Sequence, residues 1–551
     1  MKKRILIVGG VAGGASAAAR LRRLDAGAEI VMLERGPFVS FANCGLPYHV
    51  SDVIADEASL TVASPQLFRE RHGIEVRTGH EVVSIDAGAK TVRVRVVASG
   101  EEVEERYDAL VLSPGASPVR PPLPGIDLPG ILTLRNIPDV RKIREWIRER
   151  GVKRAIVAGA GFIGLEMVEN LHAMGIEVTV LEMLPQVMPP LDAEMAWWVA
   201  EHLRSKGVTL ALGDGVAAFE ATESGGLAVR TAGGVRHEGD MVILSIGVRP
   251  ETGLAKAAGL ELGPRGGIRV DDRMRTSDPS IWAVGDAVEV VDRVSGQPAL
   301  IPLAGPANRQ ARIAAASICG HEARFGGVQG TAICGVLGLT VAATGASEKA
   351  LERAGEKDYE KVYLHPANHA TYYPGASSMH LKVVYRKTDG RLLGAQAVGG
   401  EGVDKRMDVL AVFLQMGATV HDLAEAELCY APQYGSAKDP VNIAGMAAVN
   451  ALEGLSPLTH WNSPRDGALL VDVREEDEFE EGHAEEAVNL PLSGLRERWR
   501  ELPAGRELHV YCGVGLRAHN AVRFLRQQGY AAWNLSGGWK SYAAAKATGK
   551  G

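Results

Sequence analysis

The sequence predicts a multi-domain α/β protein, and three observations carry that prediction. Two are near-copies of one pattern, a buried strand, a glycine-rich turn, a helix and a second strand, at residues 4–35 and again at 154–182. The third is length, since 551 residues exceed what one hydrophobic core organises at roughly 100–200 residues per domain. Glycine at 65 positions and a 46% hydrophobic share exclude disorder and fit a glycine-turned α/β chain. No apolar run approaches the ~18 residues of a membrane span, and a strand starts directly after Met1-Lys2-Lys3-Arg4, so neither insertion nor secretion is expected. A net charge of −7 with mixed signs leaves no basic footprint for nucleic acid. Five scattered cysteines make neither a disulfide framework nor a paired metal site, so a reducing, cytoplasmic setting and no metal are expected.

In the first unit, Ile5-Leu6-Ile7-Val8 is a buried parallel strand running into Gly9-Gly10-Val11-Ala12-Gly13-Gly14. Missing side chains let backbone N–H groups approach a pyrophosphate at the helix N-terminus. Ala15, Ala17, Ala18 and Ala19 let the helix lie close to the sheet, and Glu34 ends the second strand where it can accept hydrogen bonds from a ribose. Val11 stands at the middle glycine of the strict G-x-G-x-x-G. Two later strands end in small turns, one at Ser113-Pro114-Gly115 and one at Gly285-Asp286. Both resemble the return segments of two-dinucleotide flavoproteins, in which the Gly-Asp turn gives a carboxylate to the flavin ribityl chain; the resemblance implies FAD.

The second unit carries the complete fingerprint, Gly159-Ala160-Gly161-Phe162-Ile163-Gly164, with Glu182 closing the following strand. An acidic side chain there suits the adenosine 2′-hydroxyl and repels a 2′-phosphate, so NADH is favoured over NADPH. One Rossmann-like fold set inside another resembles the pyridine nucleotide-disulfide oxidoreductases. That resemblance implies an FAD-binding domain (1–150 and 276–325), an NAD(P)H-binding domain (151–275), an α+β dimerisation domain (326–450) and hence a homodimer.

Members of that family commonly carry C-x4-C beside the flavin, whereas this chain has Cys44 and then His49. No internal disulfide can form there, so the partner sulfur must come from outside. The stretch Ser40-Phe41-Ala42-Asn43-Cys44-Gly45-Leu46-Pro47-Tyr48 resembles the single-cysteine branch of coenzyme A-disulfide reductases, NADH oxidases and NADH peroxidases. Within that branch, Ser16, Arg20, Arg23, Ser40 and Asn43 match the coenzyme A-binding set, while Asn308 stands where some relatives have a substrate-contacting His. Tyr372 and Tyr430 match tyrosines placed near the active cysteine, where a phenol can protonate a departing thiolate, and Lys438 matches a phosphate contact. Cys319, Cys334 and Cys429 lie in apolar surroundings and read as structural.

After Glu453-Gly454-Leu455-Ser456-Pro457 a small α/β domain begins (456–551) that resembles rhodanese over nearly its whole length. Its decisive loop is Cys512-Gly513-Val514-Gly515-Leu516-Arg517, placed after a buried strand and leading into a helix. Backbone N–H groups can ring Cys512 there and hold a persulfide anion. The whole resembles fused coenzyme A-disulfide reductase–rhodanese proteins, which implies NADH-dependent reduction of coenzyme A persulfide, polysulfide or coenzyme A disulfide through Cys44. Cys512 and Arg517 would then handle sulfane sulfur from small donors. A Cys44 sulfenic acid serving an NADH oxidase or peroxidase is the second expectation. A sulfur carrier or redox sensor is the third.

Overall fold

The strand Arg4–Val8 sits at the centre of a five-stranded parallel sheet in the order Ile281–Ala283, Ala109–Leu112, Arg4–Val8, Glu29–Glu34, Glu75–Thr78. Its Ile5, Leu6 and Ile7 are fully buried, as a strand covered on both faces requires. The computed structural model describes residues 2–464 and 467–549. It divides into one compact unit of Met1–Met183 with Asp214–Val328 and another of Leu184–Gly213 with Gln329–Gly551.

In the first unit the second fingerprint strand, Arg154–Ala158, lies between Glu177–Glu182 and Met241–Leu244, again parallel. Each of these two sheets carries an antiparallel three-stranded companion, 80–106 for the first and 216–239 for the second. The helices leaving the glycine loops, Ala12–Leu24 and Phe162–Ala173, share a feature. Neither has a side-chain N-cap or an acidic residue in its first turn, whereas Pro65–His72 and Ile137–Arg150 are capped by Ser64 and Asn136. Their leading N–H groups are thus left for another acceptor.

The second unit holds two sheets. One is antiparallel in the order Ala332–Val336, Leu339–Gly345, Leu392–Gly399, Met379–Arg386, Tyr359–Leu364, and Val403–Met416 and Pro440–Leu452 pack into its core. The other is parallel, with Leu508–Tyr511 at its centre between Ala532–Leu535 and Leu469–Asp472. Helix Ala193–Ser205 also belongs to this unit, although its residues fall in the segment 151–275. Among the described residues, no helix is long and apolar enough to cross a membrane.

Candidate functional site

The first glycine loop is closed by its own carboxylate. Gly10 N–H donates to Glu34 Oε2 at 2.9 Å, and Gly36 N–H donates to Oε1 at 2.7 Å. A Cβ on Gly14 would lie 1.9 Å from the Gly9 carbonyl oxygen, so only glycine lets the helix start this close to the turn. Ser113 and Gly285 arrive from the two return strands. A Cβ on Gly13 would lie 2.7 Å from Ser113 Oγ and 3.7 Å from Gly285 N, which puts three distant segments around one backbone position. Val11 and Ala12 begin the helix, and Gly115 (φ 74°) turns the chain after Ser113. Asp286 is desolvated, which pushes its carboxyl up, while the nearby Arg135 pulls it back. A partly buried carboxylate near open N–H groups and side-chain-free backbone fits the ribityl and diphosphate parts of a flavin dinucleotide.

The second loop repeats the arrangement with Ala160 N–H donating to Glu182 Oε2 at 2.9 Å. A Cβ on Gly164 would lie 2.0 Å from the Gly159 carbonyl. Gly161 is the N-cap, and Phe162 and Ile163 form the first turn with Ile163 exposed. Glu182 is 9% exposed, so a 2′-phosphate would meet a carboxylate with little water to screen it. This side-chain-free turn and its acidic strand end fit an adenine dinucleotide.

Cys44 sits on the short 3-10 turn Asn43–Gly45 and is exposed. Partial desolvation, then the carboxylates of Glu166 and Asp286, push its thiol up from the ordinary value. Glu166 itself is pushed up to about 7, by burial first and by Glu169 second. His49, at the position of a second cysteine, is buried, and its Nδ1 is 2.6 Å from the Ile54 carbonyl oxygen, so its ring serves the turn.

Four of the five residues matched to coenzyme A binding come together. Ser16, Arg20, Arg23 and Ser40 line one cavity of about 360 Å³, joined by Phe68, His72, Asn308 and Arg312. Arg20 Nε is buried without a hydrogen-bond partner, an orphan donor that an anionic ligand would satisfy. Arg22, on the same helix, faces away and donates to the carbonyls of His72 and Gly73. Asn43 is not in the cavity lining, and its amide donates to the Arg135 carbonyl at 3.1 Å. Asn308 bonds Ser16 directly. Ser40 holds a left-handed backbone (φ 45°), which is strained for a residue other than glycine.

In the second unit Tyr372 and Tyr430 share a hydrogen bond of 2.6 Å, both exposed, and that bond pushes the Tyr372 phenol up. Lys438 is exposed nearby in sequence. Cys334 is buried and Cys319 partly buried, as expected of structural cysteines. Cys429 departs from that expectation: it is exposed, because the segment 427–434 runs as surface loop rather than into the core. Cys512 is 1% exposed, and its Sγ accepts from Gly515 N–H at 3.2 Å. Arg517 is pinned by both carboxylate oxygens of Glu478, which push its guanidinium up, with Cys512 adding to the shift. Sequence reasoning missed Glu166, Phe68, His72, Arg312 and Glu478. Only Glu166 had a readable signal, a carboxylate in the apolar helix of the second fingerprint.

A family profile described as pyridine nucleotide-disulphide oxidoreductase matches residues 3–311, its dimerisation domain matches 331–439, and a rhodanese-like domain matches 458–545. The crystal structure of reduced CoADR-RHD from Bacillus anthracis is 46% identical, with a TM-score of 0.96 over 99% of this chain and 98% of that one. A NAD-dependent persulfide reductase from A. fulgidus is 38% identical, with a TM-score of 0.91 over 98% of this chain and 100% of that one. The coenzyme A disulfide reductase of Staphylococcus haemolyticus is 35% identical over 81% of this chain and 99% of its own length. The chain belongs to the pyridine nucleotide-disulphide oxidoreductase family and carries a C-terminal rhodanese-like domain.

Proposed function

We propose that the protein is an NADH-dependent flavoprotein that reduces the S–S bond of coenzyme A disulfide or of a coenzyme A persulfide or polysulfide. The cavity lined by Ser16, Arg20, Arg23 and Ser40 carries the reading, because it offers guanidinium groups and an orphan donor to a phosphate-bearing thiol. It lies in the same unit as Cys44, and Ser40 stands four residues before that cysteine. Gly9, Gly10, Gly13, Glu34, Ser113 and Asp286 would hold FAD, and Gly159, Gly161, Gly164 and Glu182 would hold NADH. When bound, that pair supplies two electrons to the sulfur side of the site.

The protein's own steps follow from its residues. Cys44 thiolate attacks one sulfur of the acceptor, forming a Cys44 mixed disulfide and releasing a thiolate or hydrosulfide. By resemblance to the family, in which the dimerisation domain caps the active site of a second copy, Tyr430 and Tyr372 are the candidates to give the leaving sulfur a proton. Two electrons then break the mixed disulfide, returning Cys44 thiolate and freeing the group bound through it, coenzyme A or, with inorganic polysulfide, the shortened sulfide chain. With coenzyme A disulfide the sum is NADH and one proton in, NAD⁺ and two thiols out. Cys512, held by Gly515 N–H and flanked by Arg517, would take sulfane sulfur from small donors and pass it to a coenzyme A arm.

We assign two further properties to the same reading. A second copy of the chain would cover apolar side chains that stand open in this domain, among them Val412 (60% exposed) and Met416 (77%) on helix Val403–Met416, in a domain matching the family's dimerisation profile. A cytoplasmic setting would keep all five cysteines available as thiols. The test is anaerobic NADH oxidation with coenzyme A persulfide, polysulfide and coenzyme A disulfide offered separately, with released sulfide measured. Turnover with any of the three supports the reading and ranks the acceptors. Inertness with all three, alongside rapid NADH loss in air, replaces it with an oxidase working through a Cys44 sulfenic acid.

A further inference from the structure

The rhodanese-like domain is joined to the antiparallel domain of the same unit by a short ladder of polar contacts. Ser536 Oγ accepts from the backbone N–H of Tyr363 at 2.8 Å. Ser541 Oγ lies 2.8 Å from His365 Nε2, and His365 Nδ1 lies 2.8 Å from His380 Nδ1. Trp198 stacks on His380 at 3.6 Å between ring centres and 13° between planes. Lys540 Nζ donates to Ser378 Oγ at 2.7 Å. Burial, with the nearby Lys540, holds His380 down at about 3 and His365 well below the ordinary histidine range. Both rings are therefore neutral. Each neutral imidazole has one donor and one acceptor nitrogen, so both contacts of the Ser541–His365–His380 chain are satisfied with the two rings uncharged.

The strand under this ladder is held from below. Lys382 is fully buried, and its ammonium meets Asp192 at 2.8 Å, Glu194 at 2.5 Å and Glu348. Tyr363 Oη donates to Glu194 at 2.8 Å, which ties the docking strand to that cluster.

The other side of the ladder touches the cysteine loop. Trp539 N–H donates to the Cys512 carbonyl at 2.7 Å, and Lys540 N–H donates to the Gly513 carbonyl at 3.0 Å. Two consecutive glycines connect the sides. A Cβ on Gly537 would lie 2.9 Å from Tyr363 Cβ. A Cβ on Gly538 would lie 2.3 Å from the Cys512 carbonyl oxygen and 2.9 Å from the N–H nitrogens of Val514 and Gly515. Both have positive φ, 77° and 58°, so the turn is compressed between two surfaces with no side chain to absorb a shift.

We propose that His365 and Ser541 are positioning residues for Cys512: the ladder to the antiparallel domain sets the Gly537–Gly538 turn, and that turn seats the sulfur-binding loop. The rhodanese-like domain is then not a freely acting module. The Gly515 N–H holds Cys512 Sγ only while the domain is docked. The inference rests on reading Cys512 as the sulfur carrier.

The experiment uses the full chain with His365→Ala, Ser541→Ala and the conservative His365→Gln. The rate of Cys512 alkylation by iodoacetamide is followed against pH by peptide mass spectrometry, beside thiosulfate-to-cyanide sulfur transfer and NADH-driven flavin bleaching. Loss of one such hydrogen bond corresponds to roughly a fivefold change. The alanine variants are expected to lower sulfur transfer by at least about that factor and to move the midpoint of the Cys512 alkylation profile. Flavin bleaching should stay unchanged, and His365→Gln should restore most of the loss. Identical Cys512 profiles in wild type and both alanine variants would overturn the coupling. If the wild type transfers no sulfur, the carrier reading fails, while the alkylation profiles still decide the coupling. Should His365→Ala fail to fold, Ser541→Ala removes a single hydroxyl and decides the coupling in its place.

Discussion

Cys44 and Cys512 are housed in opposite ways. Cys44 is exposed on a 3-10 turn with carboxylates as its charged neighbours, and together with desolvation these push its thiol up. Cys512 is buried at the end of the strand Leu508–Tyr511, with a backbone N–H on its sulfur and Arg517 beside it. An anionic sulfur at 512 thus meets an N–H and a guanidinium supplied by the chain, whereas one at 44 has only a backbone hydrogen bond set against desolvation and two carboxylates. The contrast separates a sulfur whose charged surroundings oppose the thiolate from one whose surroundings favour it.

The sharpest way to break the comparison is to remove each sulfur in turn. Cys44→Ser is expected to cut NADH-dependent acceptor reduction by at least about a thousandfold, the scale of losing a nucleophile. Thiosulfate-to-cyanide transfer should survive in that variant. Cys512→Ser should show the reverse, with coenzyme A disulfide reduction near wild type and sulfur transfer abolished. Steady-state assays of both reactions on both variants check this. Loss of both activities in either variant would mean that the sulfurs do not work as separable sites.

A smaller effect tests what completes the Cys44 site. Arg20→Ala is expected to raise KM for coenzyme A disulfide by ~10- to 100-fold, as for a charge-assisted hydrogen bond. Inorganic polysulfide lacks the nucleotide, so its turnover should change little. Equal losses on both acceptors would show that Arg20 supports the helix rather than the ligand.

How much of this was legible in the sequence depends on whether a residue acts within its own segment. Gly10 and Glu34, or Ala160 and Glu182, belong to one βαβ unit, and the fingerprint spacing sufficed to pair them. Ser16, Arg20 and Arg23 share helix Ala12–Leu24, but it is the resemblance to the coenzyme A-disulfide reductases rather than their spacing that marks them as one site. Arg312 reaches the same cavity only because helix Ala304–Ile318 packs across helix Ala12–Leu24, which nothing local to either helix announces, whereas Asn308 is marked by the resemblance. Glu478 is likewise 39 positions from the Arg517 it pins. Cys429 misled because Leu428 and Tyr430 give it apolar neighbours in sequence, yet the loop exposes it.

Charge offers a finer probe of the Cys44 surroundings. Glu166→Gln removes a carboxylate that raises the Cys44 thiol, so the Cys44 alkylation profile is expected to shift to lower pH. The same variant has a stability signature. Glu166 is raised from 4.5 to about 7 in the fold, so its contribution is fully present below pH 4.5 and is lost as pH rises through 7. Urea denaturation of the variant should therefore lose less stability between pH 5 and 8 than wild type does, by about the linkage of one group. A wild-type pH slope in Glu166→Gln would place the titration elsewhere.

The smallest effect concerns Ser40, where strain and function can be told apart. Its left-handed backbone is fixed from both sides, by Ser40 N–H donating to the Gly10 carbonyl at 2.7 Å and by Val62 N–H donating to the Ser40 carbonyl at 2.8 Å. Glycine would remove ~1–2 kcal/mol of backbone strain while adding ~0.5–1 kcal/mol of unfolded-chain entropy, so Ser40→Gly should leave the melting temperature within a few degrees of wild type or slightly above it. Ser40→Ala keeps the strain and loses only the hydroxyl. Both variants should raise KM for coenzyme A disulfide by a similar few-fold factor, because both empty the same corner of the cavity. If alanine were harmless and glycine alone raised KM, the rigid turn rather than the hydroxyl would be what Ser40 contributes beside Cys44.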